Sequence, residues 1–225
     1  FASLKTTSWC FKTYALPSKK MVINGTPGSQ ISIILDQKVG ENTRLLPTPT
    51  ISDHLYLKKT SCFSIQMRGK HILLVVLHMK NPKEKAHQVS IDLKSLIHLL
   101  KTETDIPYDF VIVLGDTNLE SKNNYSPTQF ATSLKLNKVA NNDDTTSKMR
   151  TWAQAQITKA GVKSMEEKDF IAYSPNLKIK EYNLHSGNSS TGSNSIYPSV
   201  GESFLPTPEW PSDHKALSAI FEETV

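Results

Sequence analysis

Two short strings in this chain combine residue types that could handle a phosphoester. Gly115-Asp116-Thr117-Asn118 follows the apolar run from Phe110 to Leu114, and Ser212-Asp213-His214 precedes the run from Ala216 to Phe221. A carboxylate such as Asp116 can hold a nucleophilic water or a hard cation, and the Asn118 amide can donate to a phosphate oxygen. Spacing of two residues puts both on one face of an extended chain. Gly115 would let the backbone turn close to a ligand. In the second string Asp213 can orient the imidazole of His214 or bind a metal beside it. His214 can then activate water or stabilise charge that develops at phosphorus. Either string alone is better explained as an ordinary turn or cap, because Asp, Asn and Ser all favour turns. The pair is the signal.

Other candidates gather around these strings. His78 closes the strand-like run that begins at Ile72, and Asp169 opens Asp169-Phe-Ile-Ala-Tyr173. Trp210 abuts Ser212-Asp213-His214 and could stack on a base, whereas Trp9 and Trp152 read as packing residues. His54, His71, His87, His98 and His185 have no matched partners and read as ordinary surface or core histidines.

The elements that must position these residues follow from periodicity. Ile31 to Leu35 is a β-branched run after the turn signals Asn24-Gly25 and Pro27-Gly28. Cys62 to Met67 and His71 to His78 flank Arg68-Gly69-Lys70, which reads as an antiparallel hairpin. Between Lys83 and Lys101, the residues Val89, Leu93, Leu96, Ile97 and Leu100 follow helical spacing, so this helix should pack on a sheet. Phe110 to Leu114 has the continuous apolar character of a central strand. Ser126-Pro127 caps a second helix reaching towards Leu136. Asp169 to Tyr173 and Ala216 to Phe221 read as short strands, Asn141 to Asp144 as a polar loop, and His185 to Ser203 as a mobile surface loop rich in Ser, Gly and Asn. Hairpins mixed with strand-helix-strand segments imply a layered α/β or α+β sandwich, and residues 1–225 read as one domain.

Bulk properties bound the function. No apolar run approaches the roughly 18 to 20 residues of a membrane-spanning helix. Lys and Arg number 26 against 21 Asp and Glu, a net charge of +5, which suits a protein that handles phosphate-rich ligands. Cys10 and Cys62 have neither a disulfide-framework pattern nor metal-ligand spacing, and Cys62 falls in a strand as a core residue. Cysteine usage leans towards an intracellular site of action, and the Lys-, Asn-, Ser- and Thr-rich composition also suits a secreted effector.

Taken in order, Val75-Val-Leu-His78, Gly115 to Asn118, Lys168-Asp-Phe-Ile-Ala-Tyr-Ser174 and Ser212 to His214 resemble the motifs of the endonuclease/exonuclease/phosphatase superfamily. Gln88 on the helix after His78 and Arg150-Thr-Trp152 fall where that family has comparable features. The likeness covers nearly all of the chain from Ile31 onward. It implies a four-layered sandwich, with two packed mixed β-sheets flanked by helices and the site at the sheet ends. By resemblance, Asp116 would position or deprotonate the attacking water and Asn118 would bind the scissile phosphate. Asp213 would contribute to a Mg²⁺ site (Mn²⁺ being an alternative), and His214 would stabilise the transition state or act as base. His78 would bind phosphate or assist the leaving group, and Asp169 would orient a histidine or the phosphate-binding network. Trp210 is the candidate for substrate contact.

The family also begins with a strand bearing Asn and a strand ending in Gln-Glu, whose Glu is its main metal ligand. Neither occurs here, and Asp36 and Glu41 do not fit that place. Residues Phe1 to Leu4 resemble the helix that follows the Gln-Glu strand. The expectation is therefore a domain lacking its first strands, completed by a further N-terminal segment or another chain, with weak Mg²⁺ binding by residues 1–225 alone. The alternative is a degenerate homologue that binds without cleaving. The segments Asp169 to Ser174, Leu205-Pro206 and Trp210 to His214 are most similar to the deadenylase and nocturnin-like branch. That likeness implies a nucleic-acid phosphodiester substrate, RNA ahead of DNA. The absence of Trp-Cys-Asp-Arg lowers an inositol polyphosphate phosphatase, and a sphingomyelinase-type activity is a further alternative.

Overall fold

The structure is a computed structural model that describes residues 20–26, 31–47, 59–79, 86–119, 126–139, 168–185 and 216–224. Its centre is a six-stranded mixed sheet of order β3-β4-β5-β6-β8-β7. The strands are β3 (Thr43–Leu46), β4 (Thr60–Met67), β5 (Lys70–His78), β6 (Phe110–Asp116), β7 (Asn137–Lys138) and β8 (Asp169–Tyr173). β4 and β5 form the expected antiparallel hairpin, and Arg68 and Gly69 both adopt positive φ, 52° and 74°. Two consecutive positive values define the tight turn whose twist matches that of the strands it joins.

β5 and β6 run parallel, so the chain between them must cross back over the sheet. It does so through α2 (Ala86–Glu103), whose Val89, Leu93, Leu96 and Leu100 are buried against Leu73, Val75, Leu77, Val111 and Val113. α3 (Pro127–Ser133) packs beside it. Its start is fixed by Ser126, whose hydroxyl accepts from the Gln129 N–H while the Gln129 side chain accepts from the Ser126 N–H. Phe130 of α3 meets Phe170 of β8 edge to face, with ring centroids 5.6 Å apart. Cys62 lies in this core as expected, and burial pushes its thiol pKa up to about 12.

The opposite face of the sheet carries the other half of each alternating strand. Two antiparallel hairpins cover it: β1 (Lys20–Asn24) with β2 (Ser32–Asp36), and β9 (Leu177–His185) with β10 (Ala216–Glu223). Ile23 and Ile33 of the first pack near Phe63, Ile65, Leu74, Val76 and Leu114. Ile179, Tyr182, Ala219 and Phe221 of the second pack near Phe110, Ile112, Ile171 and Tyr173. The short α1 (Gln37–Gly40) follows β2, capped by the Asp36 carboxylate, which accepts from the Lys38 N–H. Among the described residues the architecture is thus helices, a six-stranded sheet and a second strand layer, the α/β sandwich that the alternation implied. Among the described residues the second layer consists of two antiparallel strand pairs.

β9 is the main element that periodicity did not reveal. Its sequence Leu-Lys-Ile-Lys-Glu-Tyr-Asn-Leu-His changes inward phase between Ile179 and Tyr182, because the pairing with β10 shifts register at Ile220/Phe221. An extra residue in one strand breaks the two-residue period on which a strand is recognised.

Candidate functional site

Register assembles the site. In the β5–β6 pairing His78 stands opposite Asp116, and in the β6–β8 pairing Asp116 stands opposite Asp169. The next row inward on the same face is Val76, Leu114 and Ile171. These three lie on the face covered by the hairpins, so by two-residue alternation His78, Asp116 and Asp169 share that face. They form one row across three neighbouring strands, at the C-terminal ends of the parallel pair.

Within the row exposure is graded. The His78 side chain is 36% exposed, Asp116 13%, and Asp169 is fully buried. His78 Nε2 lies 3.9 Å from Asp116 Oδ2. That separation is longer than a direct hydrogen bond but close enough for a protonated imidazole and the carboxylate to attract each other.

The backbone around Asp116 is held from both sides. Met79 donates its N–H to the Asp116 carbonyl at 2.8 Å, extending the pairing with β5 by one residue. On the other side, the N–H and the hydroxyl of Thr117 both donate to the Lys168 carbonyl, each at 2.7 Å. Gly115 has φ of 140°, and a Cβ placed there would lie 1.9 Å from the Leu77 carbonyl oxygen. Glycine is required at this point because β5 and β6 approach too closely for any side chain.

Asn118 does not continue the strand. Its φ of 48° turns the chain back, and its side-chain nitrogen donates to the Met79 carbonyl at 2.7 Å and to Asp116 Oδ2 at 3.0 Å. Its backbone N–H donates to Asp116 Oδ1 at 2.7 Å. Flipping the amide would set its oxygen against two acceptors, so the network fixes the assignment. Two residues of spacing therefore bring Asn118 onto Asp116 through a turn rather than along a strand face. The amide nitrogen is committed inward, and donation to a phosphate would first have to release one of these bonds.

The Met79 carbonyl and the Lys168 carbonyl complete this frame, and neither was visible in the sequence. Both act through backbone atoms, which leave no signature in side-chain type. Asp213, His214 and Trp210 lie outside the described residues. β10, which they precede in sequence, has its last residue Glu223 bonded to Lys70 at the start of β5. Its first residue Ala216 therefore lies towards the end of the molecule that bears the row.

Among the described residues no group of three or more His, Cys, Asp or Glu side chains is arranged to hold a metal ion. Both oxygens of Asp116 already accept hydrogen bonds from Asn118. The described residues thus do not by themselves fit a divalent cation, which would need ligands from elsewhere. Also among the described residues, no helix is long and apolar enough to cross a membrane.

No protein-family model and no curated protein sequence matches the chain. Solved structures do match. A truncated TDP2 of Caenorhabditis elegans superposes with a TM-score of 0.54 at 14% identity, covering 90% of this chain and 75% of that one. The human Nocturnin catalytic domain, solved with a bound sulfate anion, gives a TM-score of 0.50 at 16% identity over 91% of this chain and 73% of its own. An endonuclease/exonuclease/phosphatase family protein from Leptotrichia buccalis gives 0.46 at 19% identity over 72% of this chain. The chain covers 52% of that protein, about half its length. At these identities the likeness is one of fold, which this chain shares with the TDP2 and Nocturnin structures.

Proposed function

We propose that this chain contributes to a phosphodiesterase site that acts on nucleic acid, RNA ahead of DNA. The observation that supports the reading is the single row of His78, Asp116 and Asp169 at the C-terminal ends of β5 and β6. In this reading Asp116, held by Asn118, orients the attacking water and accepts its proton. His78, the most exposed of the three, meets a phosphate oxygen or the leaving oxygen. The buried Asp169 fixes a histidine in the orientation needed to face the phosphorus, and His214 is the candidate partner. A bound Mg²⁺ or Mn²⁺ would neutralise charge on the phosphoryl oxygens, with ligands that include Asp213 and others beyond the described residues. The sulfate anion bound by the Nocturnin domain is a tetrahedral anion of phosphate-like shape.

The test is hydrolysis of labelled RNA and of single- and double-stranded DNA with Mg²⁺, with Mn²⁺ and with EDTA, by this chain and by the longest gene product containing it. Metal-dependent cleavage reduced at least a hundredfold in Asp116→Ala is expected for the longer product, in line with the size of a lost acid-base group. No cleavage of any substrate by the longer product would overturn the assignment. A second reading, a non-catalytic binding domain on the same fold, is favoured by one observation: both carboxylate oxygens of Asp116 already accept hydrogen bonds from Asn118. Binding without cleavage in the same assays, unchanged by Asp116→Ala, would establish it.

A further inference from the structure

The exposed face of α2 has no role in the site described above, yet its composition is one-sided. His87, Ile91, Lys94, His98 and Lys101 are all exposed, while Val89, Leu93, Leu96 and Leu100 are buried on the opposite side. At about 100° per residue the five exposed positions fall within an arc of about 80°, a straight stripe about 21 Å long. None of the stripe positions is acidic. Asp92, the acid in the middle of the helix, is buried and accepts from the Gln88 side chain, so its charge is not presented outward.

We infer that this stripe of α2 is a contact surface for the phosphate backbone of a nucleic-acid strand, beyond the site at the sheet ends. The inference rests on the nucleic-acid reading and names a surface that would extend it. Charge complementarity carries the choice of partner. The stripe is about 21 Å long, and Lys94 and Lys101 lie about 10 Å apart along it, far enough for each to meet a different phosphate of one strand. A partner helix or a lipid surface would need apolar anchors at successive turns, and the stripe offers only Ile91. The helix crosses back from the end of β5 to the start of β6, so its first turn lies on the side of His78 and the stripe leads away from the row.

The test is fluorescence anisotropy of a labelled RNA oligonucleotide longer than the stripe, in EDTA to prevent turnover, across about 50 to 200 mM salt. Each single-strand phosphate contact contributes about 0.7 to the slope of log affinity against log salt, so K94Q/K101Q should lower that slope by about 1.4. Wild type should then lose about sevenfold more affinity than the double variant over this range. Gln keeps helix propensity close to that of Lys, and an unchanged melting temperature would show that the double variant folds. Equal slopes for wild type and K94Q/K101Q would overturn the inference. Competition by poly-glutamate as effective as that by RNA would also overturn it, pointing to an acidic protein partner instead. Cleavage that depends on Asp116, together with equal slopes, would leave the proposed function standing and remove only this surface.

Discussion

The residue with the least freedom is Gly115. A methyl group there would meet the Leu77 carbonyl oxygen at 1.9 Å, and φ of 140° is strained for any L side chain. Backbone on a paired strand cannot yield as a flexible side chain would, so Gly115→Ala should cost about 4 kcal/mol or more. Urea denaturation, or failure to recover soluble protein, checks this. Asn118 is nearly as constrained, because its amide nitrogen bridges the Met79 carbonyl and Asp116. Asn118→Asp keeps the shape but turns two hydrogen bonds into contacts between acceptors. A loss on the order of 3 kcal/mol is expected at neutral pH, with partial recovery in acid, where carboxyl protonation restores one donor. A variant that melts with wild type at neutral pH would show that the bracket around Asp116 contributes little.

Elements differ in how openly their sequence announces them. The capping box at Ser126 and Gln129 is spelled out locally, and the structure contains both of its reciprocal bonds. Ser126→Ala should destabilise the protein by about 1 kcal/mol, read as a lower urea midpoint with an unchanged slope. α2 was legible for a different reason: its buried residues recur at helical spacing over many turns. β5 and β6 were legible as apolar runs, but their parallel pairing was not. Nor was β9, where the irregular register against β10 masks the alternation. What a segment shows about itself depends on its own side-chain period, and pairing is decided by a partner far away in the chain.

Over the whole molecule, the layers are tied together at the end away from the row. Lys70 at the start of β5 lies 2.8 Å from Glu223 of β10 and 3.7 Å from Asp109, just before β6. The Asp109 carboxylate also accepts from the backbone N–H of His71, and that bond, followed by the charge of Lys70, holds its pKa below the usual carboxylate range. A depressed carboxylate stabilises the fold above its unfolded-state pKa of about 3.9, and the contribution disappears as pH falls through the lower folded-state value. Asp109→Asn should therefore be less stable than wild type near neutrality, and the difference should shrink as pH falls below about 4. Paired urea titrations at several pH values test this, and a constant difference would show that the charge is not responsible.

By itself the sequence determined which residue types could handle a phosphoester and that His78, Asp116 and Asp169 each stand at one end of a strand-like run. Those are local properties, written in residue type and in a period of two. Tertiary structure decided that the three fall into one row, that Asn118 folds back onto Asp116, and that Gly115 is needed for contact with Leu77. Each of these depends on hydrogen bonds between backbones separated by many residues. Side-chain types along one segment do not encode which peptide group of another segment will lie opposite, because register is settled by how both faces of the sheet are buried at once.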